Sequence, residues 1–92
     1  MAELREHKVK RLAMRSMRRG IKEMDLILSS FADHHLAGMD DATLDLYDAM
    51  LNEIDHDLYQ WVTMQVETPT PYGALMGRVQ AHIAEHGPAP AG

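Results

Sequence analysis

The fold of this chain depends most on the run Arg18-Arg19-Gly20-Ile21-Lys22-Glu23-Met24-Asp25-Leu26-Ile27-Leu28. A basic segment leads into it, a glycine interrupts the helical pattern, and an apolar helix follows. Glycine adopts the left-handed conformation that ends many helices at little steric cost. We therefore predict a junction between two helices at Gly20.

Glu23 is open to two interpretations at this junction. It stands three residues after Gly20, where its carboxylate could reach back to a free backbone N–H at the start of the new helix, as in a capping box. If the chain instead stays helical through the glycine, Arg19 and Glu23 form an i,i+4 pair on one face. Both interpretations place an arginine, a glycine and a glutamate close together at a bend.

Apolar residues at helical spacing predict the rest of the fold. The five predicted helices are 3–17, about 21–35, a third from the N-cap Asp40 to about Glu53, a fourth after the turn 54–56, and a fifth from Thr70 as N-cap and Pro71 as first residue to Gly87. The predicted inward residues are Val9, Leu12, Ala13 and Met17, then Met24, Ile27, Leu28 and Phe31, then Leu46, Tyr47, Met50 and Leu51, then Leu58, Trp61, Val62 and Gln65, then Tyr72, Leu75, Met76, Val79 and Ile83. No stretch alternates as a strand would. We predict an all-α, compact five-helix bundle, with one domain at 1–87 and a disordered tail at 88–92.

Charge is distributed very unevenly along the 92 residues, whose net charge is −5. Residues 1–22 hold eight of the nine basic residues and two acidic ones, a net charge of +6, and residues 23–92 carry −11. A basic segment can bind an acidic partner or pack against the acidic remainder. We predict no nucleic-acid binding, because the domain is acidic overall and shows no interleaving of basic and aromatic residues.

Composition also bears on site chemistry and location. The chain has no cysteine, which excludes disulfides, thiolate metal sites and cysteine nucleophiles. No apolar run reaches the roughly 18 residues of a membrane span, so no membrane insertion is predicted. Glu3 and Glu6 argue against a mitochondrial transit peptide, and we expect a cytoplasmic protein.

The histidines and the Asp55-His56-Asp57 run are weak candidates for chemistry. His82 and His86 are spaced i,i+4, as are some zinc ligands, but no third ligand other than Glu85 is evident, and His34-His35 shares this weakness. We predict no metal. Asp55-His56-Asp57 lacks the nucleophile of a catalytic triad and the glycine of a calcium loop, so capping of the fourth helix by Asp55 or Asp57 is the better explanation.

Two motifs together give the chain a family resemblance. Arg19-Gly20-Ile21-Lys22-Glu23 and Asp57-Leu58-Tyr59-Gln60-Trp61, with Leu46-Tyr47 and Leu51-Asn52-Glu53 between them, resemble the succinate dehydrogenase assembly factor family, the small flavinator proteins. The similarity covers roughly residues 8 to 86. The compact helical bundle of that family agrees with the fold predicted above.

The resemblance implies an assembly factor rather than an enzyme. It implies binding to the flavoprotein subunit of succinate dehydrogenase, or of fumarate reductase, and promotion of covalent FAD attachment there. The chain has no Gly-rich phosphate loop, so we expect it to bind no cofactor stably by itself and to act on FAD held by the client. Carried over residue by residue, the client-binding residues are Arg19, Gly20, Glu23, Asp57, Tyr59 and Trp61.

Spacing on the fourth helix separates its two aromatic residues. Tyr59 and Trp61 lie two apart and do not share a helix face. Trp61 falls on the apolar stripe and is predicted to be core. Tyr59 points to the rim, either as a contact residue or as a half-buried cover of the core edge. The alternative to the flavin role is a small helical interaction or regulatory module without it.

Overall fold

The polypeptide forms five α-helices joined by short connections, and the computed structural model describes residues 3–87. The helices are α1 Arg5–Arg15, α2 Lys22–His35, α3 Asp41–Met50, α4 Asp55–Val62 and α5 Gly73–His86, and a 3-10 turn follows α2 at Leu36–Gly38. Residues 3–87 contain no β-strand. The prediction of an all-α, five-helix, single-domain fold is confirmed. The predicted tail at 88–92 lies outside the described residues.

The core consists of the apolar stripes of all five helices. Phe31, Tyr47 and Leu58 are fully buried, as are Leu12 and Met76. Every predicted inward residue of α2 is buried, and the predicted stripes of α3 and α5 are buried or half-buried. At roughly 25 cal/mol per Å² of apolar surface, this burial is the main stabilising contribution to the fold.

Helix α1 ends at Arg15, two residues earlier than predicted. Ser16 then caps the helix, and its Oγ lies 2.7 Å from the Leu12 carbonyl and 2.6 Å from the Tyr47 hydroxyl. Because Met17 follows the end of the helix, it is 46% exposed rather than part of the core stripe. Burial raises the pKa of Tyr47 to about 12, so its hydroxyl stays neutral in this buried bond.

The basic helix α1 packs beside the acidic helix α3. The ion pairs between them are Arg5–Asp41, Lys8–Asp45, Arg11–Asp48 and Arg15–Asp48. Residue numbers rise together along these pairs, so the two helices run in parallel. The basic segment thus pairs with the acidic part of the same chain, although partly exposed ion pairs of this kind contribute little to stability.

Other helix ends also differ from the prediction. Helix α3 ends at Met50 rather than at about Glu53, and α4 begins at Asp55 rather than after residue 56. Met64 adopts a φ of 63° and the N–H of Gln65 donates to the Gln60 carbonyl, so α4 has ended before Gln65, which is exposed rather than inward. The N–H of Tyr72 donates to the Pro69 carbonyl in a turn, so α5 begins only at Gly73. The prediction of Thr70 as N-cap and Pro71 as first helical residue is therefore wrong.

The start of α3 matches its prediction. Asp40 is the N-cap, and its Oδ1 accepts a hydrogen bond of 2.8 Å from the N–H of Thr43. This bond satisfies one of the free N–H groups at the helix start. Hydrogen bonding from the side chain of Thr43, together with that from its backbone N–H, lowers the pKa of Asp40 below its usual value.

Candidate functional site

The junction between α1 and α2 is a non-helical loop over residues 16–21. Arg18, rather than Gly20, adopts the left-handed conformation, with a φ of 58°. The prediction that Gly20 supplies a left-handed break is wrong, since Gly20 has no positive φ. Another property of glycine must explain its position here.

Asp55 holds this loop against the start of α4. Its Oδ1 accepts a hydrogen bond of 2.8 Å from Arg19 Nε, and its Oδ2 accepts one of 2.5 Å from the backbone N–H of Gly20. The side chains of Arg19 and Asp55 are only 13% and 15% exposed. Charge-assisted bonds of this kind are among the stronger hydrogen bonds in proteins, so the loop is firmly attached to α4.

The remaining donors of Arg19 also point inward. Its Nη1 donates to the Arg15 carbonyl at 2.9 Å, and its Nη2 donates to the Leu51 carbonyl at 3.0 Å. The guanidinium thus satisfies carbonyls at the ends of α1 and α3, where free carbonyls need partners. Arg19 ties together three segments of the bundle.

Lack of a side chain at Gly20 allows the close approach of Asp55. A Cβ at Gly20 would lie 3.2 Å from Asp55 Oδ2, closer than ordinary van der Waals contact. A side chain at Gly20 therefore requires the Asp55 carboxylate to move by a few tenths of an ångström. Space, rather than backbone freedom, is the requirement for glycine at this position.

Neither interpretation of Glu23 is correct. Helix α2 begins at Lys22 with Ile21 as its N-cap and without a side-chain cap, and Arg19 pairs with Asp55 rather than with Glu23. Glu23 is exposed in the first turn of α2. Within residues 3–87 its carboxylate has no hydrogen bond or ion pair, so it is available to a partner.

Glu23 lies at the edge of an open groove of about 450 Å³. The groove is lined by Glu23 and Ile27 of α2, Tyr59 and Val62 of α4, Thr63 and Ile83. Its walls are mainly apolar, and Glu23 and Tyr59 supply polar groups. The groove therefore unites one residue from each of the two motifs that carry the family resemblance.

The other residues of the second motif lie in different surroundings. Trp61 is 7% exposed, and its ring stacks on Tyr72 with centroids 6.2 Å apart, as its core prediction requires. Tyr59 is half-buried and packs against the core edge. Asp57 is half-buried in the first turn of α4. The N-cap of α4 is Ile54 without a side-chain cap, so the capping interpretation of Asp55 and Asp57 is wrong.

Four histidines from α2 and α5 meet at one end of the bundle. The ring centroids of His34 and His82 each lie 4.6 Å from the ring centroid of His86. The ring centroids of His35 and His82 lie 5.0 Å apart. Buried His82 bonds to Ser30 Oγ at 2.8 Å and to His35 at 3.2 Å.

Sequence reasoning considered each pair of histidines alone and missed the cluster. Its signal was a pair of histidines near the C-terminal end of each of the two longest helices in residues 3–87.

Burial lowers the pKa values of His35 and His82 below their usual value. Neighbouring cationic groups act in the same direction, Arg78 on His35 and the other histidines on both, while Glu85 opposes the shift. A histidine whose pKa is lower in the folded state stabilises the fold fully above its unfolded pKa of about 6.5. That stability is lost progressively as the pH falls below this value.

We expect the protein to unfold at a lower temperature at about pH 5.5 than at about pH 7.5, because protons bind more tightly to these histidines in the unfolded chain. Burial opposes ionisation of Asp48, but its hydrogen bonds and charge pairing with Arg11 and Arg15 lower its pKa. Carboxylates of this kind lose their contribution to stability only at lower pH. The measurement is the thermal midpoint at both pH values. His82→Gln should reduce the difference and the exposed His7→Gln should not. An equal difference in all three proteins would contradict the assignment.

Over residues 3–87, no group of three or more histidine and carboxylate side chains has an arrangement that would hold a metal ion. None of the helices in that part combines the length and apolar character needed to cross a bilayer.

Comparison with known proteins places the chain in a family. The sequence model of the family described as flavinator of succinate dehydrogenase matches residues 10–83. The chain belongs to this family. The flavinator match covers α2 to α4 in full and most of α1 and α5, and so includes the groove and the Asp55 contact.

Several curated relatives are named succinate dehydrogenase assembly factor 2, mitochondrial. The relative from Candida glabrata is 53% identical over 62 residues, which are 66% of this chain and 40% of that protein. The relative from Meyerozyma guilliermondii is 49% identical over 70 residues, 75% of this chain and 52% of that protein. For the relative from Komagataella phaffii the identity is 43% over 84 residues, 90% of this chain and 44% of that protein. The chain thus spans about half or less of the length of these relatives.

The names of the relatives overturn the expected location. They describe mitochondrial proteins, so the expectation of a cytoplasmic protein is wrong. That expectation depended on the acidic residues Glu3 and Glu6, a composition signal too weak to decide location.

Proposed function

We propose that this flavinator chain binds the flavoprotein subunit of succinate dehydrogenase and promotes covalent attachment of FAD to that subunit. Family membership over residues 10–83 supports an assembly role for succinate dehydrogenase. The observation that carries the proposal is the groove in which Glu23 and Tyr59 meet. Two motifs separated in sequence there form one accessible surface with an unused carboxylate.

The groove suits a protein segment as its occupant. Its apolar lining would receive an aliphatic or aromatic side chain, and Glu23 would accept hydrogen bonds from a basic or amide group beside it. Apolar side chains also flank the junction on the outside, since Met17 is 46% and Ile54 is 69% exposed. Exposed apolar groups next to a polar anchor are typical of protein interaction sites.

The proposed mechanism is a shift in the conformations of the client. A binding protein changes an equilibrium between two client states only by its different affinity for them. In this proposal the flavinator binds the state in which the client's own nucleophile and FAD are aligned for bond formation. Alignment alone can accelerate such a reaction greatly. The flavinator supplies the binding energy, while the client holds the flavin and the nucleophile.

The proposal is tested by affinity for the purified flavoprotein subunit. We expect Glu23→Gln to weaken binding by about tenfold or more, because a charge-assisted hydrogen bond is lost on the client side. Isothermal titration calorimetry measures this change directly. The matched control is Glu6→Gln, which alters an exposed carboxylate in the first turn of α1 and should leave the affinity unchanged. Equal affinity for all three proteins would contradict a role for this groove.

The same titration with a fumarate reductase flavoprotein subunit tests the other proposed client. A helical interaction module without a flavin role is the alternative function. It predicts that neither flavoprotein binds and that covalent flavin content is unaffected by the chain.

A further inference from the structure

We infer that Asp55 is the positioning residue of the Arg-Gly-x-x-Glu motif, and that Arg19 and Gly20 serve this contact rather than the client. Asp55 stands outside both motifs on which the resemblance was based. The consequence for client binding rests on the proposed function, whereas the contact itself does not.

Arg19 has little capacity left for a partner. Its Nε, Nη1 and Nη2 each donate to a group of this chain, namely Asp55 Oδ1 and the Arg15 and Leu51 carbonyls. The side chain is 13% exposed, so a client could touch only a small part of it. A guanidinium used in this way fixes structure around it and offers few free donors.

Gly20 is likewise explained by Asp55. Its N–H donates to Asp55 Oδ2 at 2.5 Å, and the Cβ of any other residue would lie 3.2 Å from that same atom. Because Gly20 needs no left-handed conformation, removal of the carboxylate should remove the need for glycine. The two residues form one unit in which the glycine makes room for the acid.

This contact fixes the position of the α2 wall of the groove relative to the α4 wall. Asp55 is the first residue of α4, which carries Tyr59 and Val62, and the loop it holds leads directly into α2, which carries Glu23 and Ile27. The bonds from Asp55 therefore fix where α2 begins with respect to α4. In this arrangement Arg19, Gly20 and Asp55 hold Glu23 in place, and Glu23 contacts the client.

Non-additivity between Asp55 and Gly20 tests the inference. We expect Asp55→Asn, Asp55→Ala and Gly20→Ala each to weaken client binding about tenfold, and Gly20→Ala to have no further effect when Asp55→Ala is already present. Direct client contact by Gly20 predicts instead that the two losses multiply. Asp33→Asn removes an exposed carboxylate from α2 and serves as the control. Multiplying losses, or unchanged binding in Asp55→Asn, would overturn the inference.

Amide hydrogen exchange provides a second measurement that needs no client. The Gly20 N–H lies in a non-helical loop, so without a partner it would exchange rapidly with solvent. We expect it to be protected in the unmodified protein and to exchange about tenfold faster or more in Asp55→Asn. Lack of protection in the unmodified protein would overturn the inference even if the Asp55 variants failed to fold. If the unmodified chain bound no flavoprotein, the proposed function and the effect on binding would fail together, and exchange would still decide whether the contact exists.

Discussion

Replacing Phe31 with alanine is expected to lower the free energy of unfolding by about 3–5 kcal/mol. Phe31 is fully buried, and its ring lies 5.8 Å from that of Tyr47 on α3 and 5.8 Å from that of His82 on α5. A cavity there would separate three helices at once. A domain of this length has roughly 5–14 kcal/mol of stability in total, so the loss would be a large part of it.

Urea denaturation followed by circular dichroism measures the effect of Phe31→Ala. The control is Met14→Ala, an apolar truncation at an exposed position of α1. It should change the free energy of unfolding by no more than about 0.5 kcal/mol. A decrease in the free energy of unfolding below about 1 kcal/mol for Phe31→Ala would contradict the burial of Phe31 in the core.

Replacing Gly20 with leucine is expected to abolish the proposed promotion of flavin attachment by the chain while its helix content stays nearly unchanged. The leucine side chain would displace the Asp55 carboxylate, which a Cβ alone approaches to 3.2 Å. Gly20 lies in a loop, so no helix is interrupted by the change. The measurement is covalent flavin on the client, compared with the helical signal of the variant.

Gly38→Leu is the matched control for Gly20→Leu. A Cβ at Gly38 would meet nothing within 4 Å, so the same substitution there should preserve activity. If Gly20→Leu instead unfolded the chain, Gly20 would be required for the fold as a whole. Unchanged activity in Gly20→Leu would contradict the role given to this junction.

Most of the fold could be predicted because it depends on local patterns. The stripe Met24, Ile27, Leu28 and Phe31 fixes α2 to within one residue of its observed start. Errors arose where the ends of helices depend on turns. Met64 in a left-handed conformation shortens α4, and the turn ending at Tyr72 delays α5. Pro69 and Pro71 mark a loop before α5 but do not fix the residue at which the helix begins, and nothing in the residue type of Met64 marks a left-handed conformation.

The site was harder to predict because its decisive contacts join residues far apart in sequence. Asp55 lies 35 residues after Gly20, and an aspartate near a helix start is usually a cap. Nothing local distinguishes a cap from a partner for a distant loop. The histidine cluster escaped prediction for the same reason, since it forms only where the ends of α2 and α5 meet.

Client binding at Arg19, Gly20, Glu23, Asp57, Tyr59 and Trp61 stays a prediction. The structure gives these residues unequal access to a partner. Glu23 and Tyr59 line an open groove, while Arg19 and Trp61 are largely buried. We therefore expect mutations at Arg19 and Trp61 to act mainly through the shape of the bundle, and mutations at Glu23 to act at the interface.

Denaturation-resistant flavin fluorescence on the flavoprotein subunit tests the central claim most directly. The subunit is produced with FAD supplied, together with the intact chain, without it, or with Glu23→Gln. We predict covalent flavin with the intact chain, and little of it in the other two cases. Equal covalent flavin in all three, with every protein folded, would contradict the claim that this chain promotes flavin attachment through the groove at Glu23.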